Sequence, residues 1–392
     1  MSTPLSSRVA GRRILIASSV LHFTNDACFA LLYPLLPLIA ADLHLSYSQV
    51  GLVRAIFSGA AAVFQLPAGL LGERFGEGII LLLGNAWLGT GLATIALAGG
   101  FAGLLTLALL AGLGGNAQHP LGAALVSRSS EPAQVATSLG VLHFAGDLGK
   151  LVAPVVAGIA VGLGWRTPLV GVGVATTLIA ASLLLRRRTV LPHLPVAPRA
   201  AGAPPEGGNA PGFPLLLAAG ALDSATQGAA LTFLPFLFAR QGLDAARIGL
   251  LFGLIFASGA AGKFFCGWLS DRWGPLAVII ATELTTAAAL LGFAAGQPLF
   301  TFPLAAIFGF ALSGTATALG VAVTAFVPAR RRARGYGTFF TVALSGGAAA
   351  PLAYGLLGDH TGLLTVFLVM AALTVAIVPV VLPLRRILAT LR

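Results

Sequence analysis

The chain contains 392 residues, of which 57% are hydrophobic and only 9% are charged, and its mean hydropathy is +0.94. Soluble domains carry about 25% charged residues, so this composition excludes a water-soluble globular protein. The formal net charge of +11 would suit a nucleic-acid-binding protein. The arginines are instead spread over several separate segments between apolar runs, which indicates orientation in a membrane and argues against a nucleic-acid partner.

Apolar runs of about 20 residues, the length that crosses a bilayer as a helix, recur along the whole chain. They do not alternate polar and apolar residues, which argues against the strands of a membrane barrel. We predict twelve transmembrane helices, near residues 14–40, 47–70, 79–98, 101–127, 134–161, 166–185, 213–239, 245–267, 276–295, 299–327, 335–357 and 363–384.

The arginines fall mainly on one side of the predicted membrane. With the N-terminus inside, the arginines toward the outside are Arg54, Arg166, Arg240 and Arg247, and the others lie in inner segments. By the positive-inside rule, both termini are predicted to be cytoplasmic. The sequence thus predicts a multi-pass protein of a bacterial-type cytoplasmic (inner) membrane, with the lipid bilayer as its surroundings.

The stretch 51–76 occurs twice, because a shift of 198 residues places it on 249–274 without a gap. A long internal repeat indicates an architecture built from two similar units. Between spans six and seven lies a segment rich in Pro, Ala and Gly, a composition typical of a flexible linker. We therefore predict two six-helix bundles, residues 1–185 and 213–392, joined by a cytoplasmic linker at 186–212.

Three motifs stand out along the chain. The first joins spans two and three and is repeated in the second half; its residues are Gly69, Glu73, Arg74 and Gly76, and their copies Gly267, Asp271, Arg272 and Gly274. The second lies in span five and contains Gly140, Gly149, Pro154 and Gly158. The third is the segment 115–120 in span four, which includes Gln118 and His119, with Arg128 downstream.

With these motifs the chain resembles the major facilitator superfamily over essentially its whole length. The first motif resembles that superfamily's signature loop, although Glu73 replaces Asp and Glu77 and Gly78 stand where basic residues are usual. The second resembles the signature of drug/proton antiporters, and the third is similar to the fosmidomycin-resistance branch. One departure is Ala108, which stands where many proton antiporters of the superfamily carry an arginine.

The resemblance implies an all-α fold of twelve transmembrane helices in two pseudo-symmetric six-helix bundles. It implies that the two acid–Arg–Gly loops act as latches that open and close with the transport cycle. The alternative for these loops is an ordinary tight cytoplasmic turn. The resemblance of span five to antiporters implies export.

Charged side chains inside spans are costly, about 2.5–3.5 kcal/mol each, so they are functional candidates by default. Counting a rise of about 1.5 Å per residue places Asp26, His119, His143 and Asp223 near the bilayer midplane, where substrate sites of such transporters lie. The predicted substrate or proton cavity comprises Asn25, Asp26, Gln118, His119, His143, Asp147, Lys150, Asp223 and Gln227. Glu283 in span nine is expected to face the peripheral helices.

On span five, His143, Asp147 and Lys150 are spaced i, i+4, i+7 and share one face of the helix. Asp147 and Lys150 are predicted to neutralise each other, either as a structural ion pair or as part of the transport pathway. Asp26, Asp147, His119 and His143 are the candidate proton carriers, because carboxylates and imidazoles can change charge during a cycle. The alternative for Asp26 is a packing hydrogen bond with Asn25 or His22.

The sequence lacks a phosphate-binding Gly-x4-Gly-Lys-Ser/Thr loop, which argues against ATP as the energy source. No Cys or His cluster has metal-ligand spacing along the chain, so no metal site is predicted, and no catalytic set of an enzyme is visible. The sequence predicts a monomeric secondary transporter that needs no cofactor and exports a small polar or charged organic molecule against protons. The alternatives are proton-linked uptake of a small organic anion and a non-transporting membrane receptor or scaffold.

Overall fold

The computed structural model describes residues 4–115, 117–131, 134–191, 211–328 and 332–390. Within these ranges all regular secondary structure is helical, in agreement with the predicted fold class. The α-helices are α1 (Pro4–Asp42), α2 (Tyr47–Phe75), α3 (Glu77–Ile95), α4 (Phe101–Gly112), α5 (Ala123–Ser129), α6 (Val135–Lys150), α7 (Val152–Leu163), α8 (Arg166–Leu185), α9 (Arg187–Val190), α10 (Phe213–Arg240), α11 (Ala245–Trp273), α12 (Pro275–Ala294), α13 (Pro298–Phe326), α14 (Arg332–Thr361) and α15 (Leu363–Thr390).

Ten helical spans in the described part of the chain are long and apolar enough to cross a membrane. Of the other two predicted spans, 213–239 forms the single long helix α10, which includes the polar residues Asp223 and Gln227. The span predicted at 101–127 is not one continuous α-helix. It consists of α4, a π-helical turn at Gln118–Gly122 and the short helix α5.

The break in this span follows from its glycines and proline. Pro120 has no backbone N–H, so it cannot continue the regular hydrogen-bond ladder, and π-helical turns often occur where a helix is so interrupted. Gly115 permits a close approach to α1, since a Cβ there would lie 2.6 Å from the ring of Phe29. Span five is also divided, because α6 ends at Lys150 and α7 begins at Val152.

The chain forms two compact units. The first comprises Met1–Leu45, Ile56–Pro198 and Ala245–Gly249, and the second comprises Ser46–Ala55, Arg199–Asp244 and Leu250–Arg392. Most of the predicted linker, residues 192–210, lies outside the described residues, so the predicted bundle boundaries remain predictions.

Each unit has its own apolar core. In the first unit α1 packs against α6 and α7, and α3 packs against α8 and α4. Its core includes Leu21 of α1, Leu81 of α3 and Leu121 of the π-helical turn. In the second unit α10 packs against α14 and α15, and α12 packs against α13 and α15, around residues such as Phe213 and Phe326.

The internal repeat is visible in backbone geometry. Gly76 and Gly274, which correspond under the shift of 198, have φ/ψ values of 95°/131° and 83°/144° before α3 and α12. Positive φ at both places explains why the signature loop ends in glycine. Gly149 packs on the carbonyl oxygen of Phe23, and its counterpart Gly346 packs on that of Ala221. The scaffold contacts therefore repeat along with the sequence.

Candidate transport site

A lysine lies between two carboxylates in the interior of the first unit. Lys150 Nζ on α6 donates to Asp147 Oδ1 at 2.7 Å and lies 3.5 Å from Asp26 Oδ2 on α1. The predicted pairing of Asp147 with Lys150 is confirmed. The contact with Asp26 depends on close packing of α1 and α6, which Gly149 permits by resting on the backbone of α1 at Phe23.

Asp26 is held by further polar neighbours. Asn25 Nδ2 donates to Asp26 Oδ1 at 3.1 Å, and His22 Nε2 lies 3.6 Å from the same oxygen. Gly146 makes room for this arrangement, since a Cβ there would lie 2.7 Å from His22 Nε2 and 2.9 Å from Asp26 Oδ2. The hydrogen bond with Asn25 that the sequence offered as the packing alternative for Asp26 is therefore present, together with the ion pair to Lys150.

Three histidines adjoin this ion cluster. His22 is buried, whereas His119 in the π-helical turn and His143 on α6 are exposed. The ring centroid of His22 lies 5.1 Å from that of His119 and 5.6 Å from that of His143. Counting residues along the spans placed His119, His143 and Asp26 at one depth, and the structure brings them together in one cluster around His22. That residue was assigned only a packing role by sequence.

Gln118 occupies a different environment from its neighbour His119. It is 1% exposed, and both atoms of its side-chain amide lack a hydrogen-bond partner among the described residues. Asn25 is also buried. Asn116, within the segment 115–120, lies outside the described residues.

The second unit has its own buried polar groups. Asp223 on α10 is 4% exposed and Glu283 on α12 is 1% exposed, and the two carboxyl groups interact electrostatically. Glu283 Oε1 has no hydrogen-bond partner among the described residues. Glu283 is thus enclosed by the helices of the unit, and its expected orientation toward the peripheral helices remains a prediction. Gln227, one turn after Asp223, is half-buried.

Two pairs of hydrogen-bonded threonines link the helices of these two acids to neighbouring helices. Thr226 on α10 and Thr374 on α15 share a hydrogen bond of 3.1 Å, and Thr315 on α13 donates to Thr282 on α12 at 2.7 Å. Side-chain hydrogen bonds between helices replace interactions that water would otherwise supply in a membrane interior. The second unit is therefore polar inside, but it contains no histidine in this cluster of described residues.

The sequence family model of the Major Facilitator Superfamily matches this chain over residues 18–216 and 215–389. The chain belongs to this superfamily. It is accordingly a multi-pass membrane transporter and not an enzyme. Among curated relatives, the fosmidomycin resistance protein of Escherichia coli (strain K12) is 26% identical over 92% of this chain and 90% of its own length. The multidrug resistance protein MdtG of Klebsiella pneumoniae (strain 342) is 31% identical over 32% of this chain and 30% of its own.

Solved structures show the same fold. A bacterial homolog of the human lysosomal transporter Spinster, in an inward-facing and unoccupied conformation, aligns with a TM-score of 0.77 and 18% identity, covering 99% of this chain and 97% of that one. The nucleoside transporter NupG aligns with a TM-score of 0.76 and 14% identity, covering 94% of this chain and 98% of that one. These structures share the fold, while the match of the family model confirms the predicted membership of the superfamily.

The superfamily's signature motifs were predicted as loops, but they form the last turns of α2 and α11 and leave the helix only at Gly76 and Gly274. Their arginines are exposed in both copies. Arg74 lies over the ring of Phe75 at 5.2 Å, and Arg272 lies over that of Trp268 at 5.7 Å. Glu73 and Asp271 are likewise exposed, and neither Gly69 nor Gly267 is in tight contact. The latch role implied by the superfamily remains a prediction.

Glu77, which stands where the superfamily's signature usually has a basic residue, takes part in an ion pair. It lies in the first turn of α3, is buried, and forms an ion pair with Arg128 of α5. A carboxylate at a helix N-terminus is favoured by the helix dipole, and the arginine adds a direct partner. Two residues that sequence comparison noted separately, Glu77 and Arg128, therefore form one structural link between α3 and α5.

The glycines of the antiporter-like motif in span five differ in how closely they pack against other helices. Gly149 is in close contact with α1, whereas a Cβ at Gly140 or Gly158 would meet no atom within 4 Å among the described residues. Pro154 lies in α7, just after the division of the span. Of the three glycines in the motif, Gly149 is the one that local packing requires.

Proposed function

We propose that this chain exports a small polar or charged organic molecule in exchange for protons, by alternating access. The observation that carries the proposal is the position of Lys150 between Asp26 and Asp147. Two carboxylates share one ammonium group, which leaves one excess negative charge in a membrane interior. Charges in such places are expensive and commonly mark ion pathways, and an excess carboxylate is suited to take up and release a proton.

We assign the exchanged proton to Asp147. Protonation there removes the charge that holds Lys150 at 2.7 Å, while Asp26 keeps its contacts with Asn25 and His22. Lys150 then pairs with Asp26 alone, so the connection between α1 and α6 changes. A change in binding or protonation shifts a conformational equilibrium only if it affects the two states differently, and this rearrangement supplies such a difference.

The proposed direction rests on the relatives. Their names refer to resistance to fosmidomycin and to multiple drugs, which is the effect of export. A cluster that combines Lys150, His119 and His143 with two carboxylates is polar, which favours a polar or charged molecule over an apolar one. The protein would then reside in a bacterial-type inner membrane with both termini in the cytoplasm, act as a monomer and use the proton gradient without a cofactor.

Transport in proteoliposomes tests this proposal. A thermal-shift screen of small polar and charged compounds, with fosmidomycin included, first selects the probe. With an imposed pH gradient, we expect the probe to move against the direction of proton flow. Asp147→Asn should lose gradient-driven transport but keep exchange of labelled for unlabelled probe, because the binding surface persists while the proton carrier is gone.

The matched control is Asp42→Asn. Asp42 also pairs with a basic residue, Arg166, at 2.8 Å, but this pair is exposed at the end of α1. We expect gradient-driven transport to persist in this variant. Full gradient-driven transport in Asp147→Asn would exclude Asp147 as the carrier, and movement of the probe in the direction of proton flow would establish uptake instead of export.

A further inference from the structure

The three histidines of the first unit converge although they come from distant parts of the sequence. One ring nitrogen from each of His22, His119 and His143 lies within 4.8 Å of the corresponding atoms of the other two. Three nitrogen ligands of a tetrahedral zinc ion, at about 2.0–2.1 Å from the metal, are separated from each other by about 3.4 Å. Small changes in side-chain torsion would therefore bring these nitrogens to ligand distance.

His22 shows the second feature of a metal ligand. Its ring is 2% exposed, and Nδ1 has no hydrogen-bond partner among the described residues. The other nitrogen, Nε2, points toward Asp26 at 3.6 Å. A metal-bound histidine typically uses its second nitrogen to contact a carboxylate, which fixes the ring and leaves the first nitrogen for the metal. An ion at the cluster would supply the partner that Nδ1 otherwise lacks.

The surroundings favour a cation that can enter and leave. His119 and His143 are exposed, so the cluster is accessible from one side. Asp26 and Asp147 together outweigh the single positive charge of Lys150, which leaves a negative charge beside the histidines. Three imidazoles and an open position are typical of zinc sites that keep a place for an exchangeable ligand, whereas buried structural sites are closed by four protein ligands.

We infer that His22, His119 and His143 form a binding site for a divalent transition-metal ion of the Zn²⁺ class. Imidazole nitrogen suits Zn²⁺, Cu²⁺, Ni²⁺ and Co²⁺, while Mg²⁺ and Ca²⁺ prefer oxygen ligands. Asp26 acts as a positioning residue that holds the ring of His22. Spacing along the chain gave no indication of the site, because its ligands lie on α1, in the π-helical turn and on α6.

Metal binding to the purified full-length protein tests this inference independently of transport and its direction. The protein is purified through a tag without histidines, stripped with a chelator and titrated with Co²⁺, whose visible absorption reports nitrogen ligands. We expect one ion per chain, displacement of Co²⁺ by stoichiometric Zn²⁺, and no displacement by Mg²⁺. Zn²⁺ should also raise the melting temperature, since an ion that binds the folded state stabilises it.

Variants separate this site from adventitious binding. His119→Gln and His143→Gln, which change exposed side chains, should each abolish the Co²⁺ spectrum and the thermal shift. Asp26→Asn keeps all three ligands and should weaken Zn²⁺ binding by about 10–100-fold. The matched control is His360→Gln at the end of α14, which should bind as the unmodified chain does. Undiminished binding in both His119→Gln and His143→Gln, or no Zn²⁺ binding by the unmodified protein, would overturn the inference.

Discussion

In the first unit the carboxylates of Asp26 and Asp147 both contact the ammonium group of Lys150, whereas in the second unit Asp223 and Glu283 are buried near each other without such a cation. No salt bridge among the described residues joins either acid of the second unit to a lysine or arginine. The two units thus place acids in comparable polar interiors but compensate them in different ways.

This difference indicates that the buried acids of the two units differ in charge. A carboxylate buried with a lysine can remain ionised, because the ion pair and its hydrogen bonds replace part of the lost hydration. A carboxylate buried beside a second acid and without a cation is far less costly when it is neutral. We therefore expect the first unit to hold a net negative charge that can be titrated or paired with a cation, and the second unit to hold neutral acids that act as hydrogen-bonding groups.

Removal of Lys150 should have the largest effect on stability. Lys150→Met leaves Asp26 and Asp147 close together with no ammonium group, and breaking a buried pair by removing one partner costs about 3–5 kcal/mol. Because the Lys150 side chain is 29% exposed, we expect the lower end of this range. The loss would appear as a reduced melting temperature and a lower denaturation midpoint of the detergent-purified protein.

A double variant and a second lysine provide the controls. Lys150→Met combined with Asp147→Asn restores the original net charge of the cluster, so it should recover most of the lost stability. Lys263→Met changes the chain's other lysine, which lies on α11 outside this cluster, and should cost less. If the double variant is as unstable as Lys150→Met alone, the cluster is held by packing and not by its charges.

The scaffold should respond alike in both units. Gly149→Ala would drive a Cβ into the backbone at Phe23, and Gly346→Ala would do the same at Ala221, so each should cost about 1–3 kcal/mol by overpacking. Gly140→Ala and Gly337→Ala are the matched controls, because a Cβ at either place meets open space. In thermal unfolding, Gly149→Ala and Gly346→Ala should both be less stable than Gly140→Ala and Gly337→Ala. A large loss of stability in only one of the two units would contradict the structural equivalence of the repeat.

The regular part of the fold could be predicted because it depends on short-range patterns. Apolar run lengths indicated the spans, the repeat indicated matched glycines such as Gly76 and Gly274, and helical spacing indicated the pair of Asp147 and Lys150. These features require only the geometry of one helix or the comparison of two similar stretches. The break in span four at 113–122 was missed although Gly114, Gly115 and Pro120 mark it in the sequence, because the apolar runs on either side of it were joined into one span.

Contacts between helices were harder to predict, because sequence periodicity does not determine how one helix is rotated against its neighbour. Depth along the spans grouped Asp26, His119 and His143, but it could not show that the ring of His22 adjoins both other rings. The contact of Asp26 with Lys150 likewise depends on the register of α1 against α6. The interaction of Glu283 with Asp223 was not predicted for the same reason, since it joins two separate helices.

The smallest effect is expected from Glu283→Gln, and this variant tests the comparison most directly. If Glu283 is neutral, an amide of nearly the same shape replaces a carboxylic acid, and the free energy of unfolding should change by less than about 1 kcal/mol. Infrared spectroscopy should show the carbonyl stretch of a protonated carboxyl group in the unmodified protein and a weaker one in the variant. A stability loss as large as that of Lys150→Met, with no change in the infrared band, would mean that Glu283 is ionised. The second unit would then also carry a buried negative charge, and the contrast between the two units would lie in the histidines and Lys150 alone.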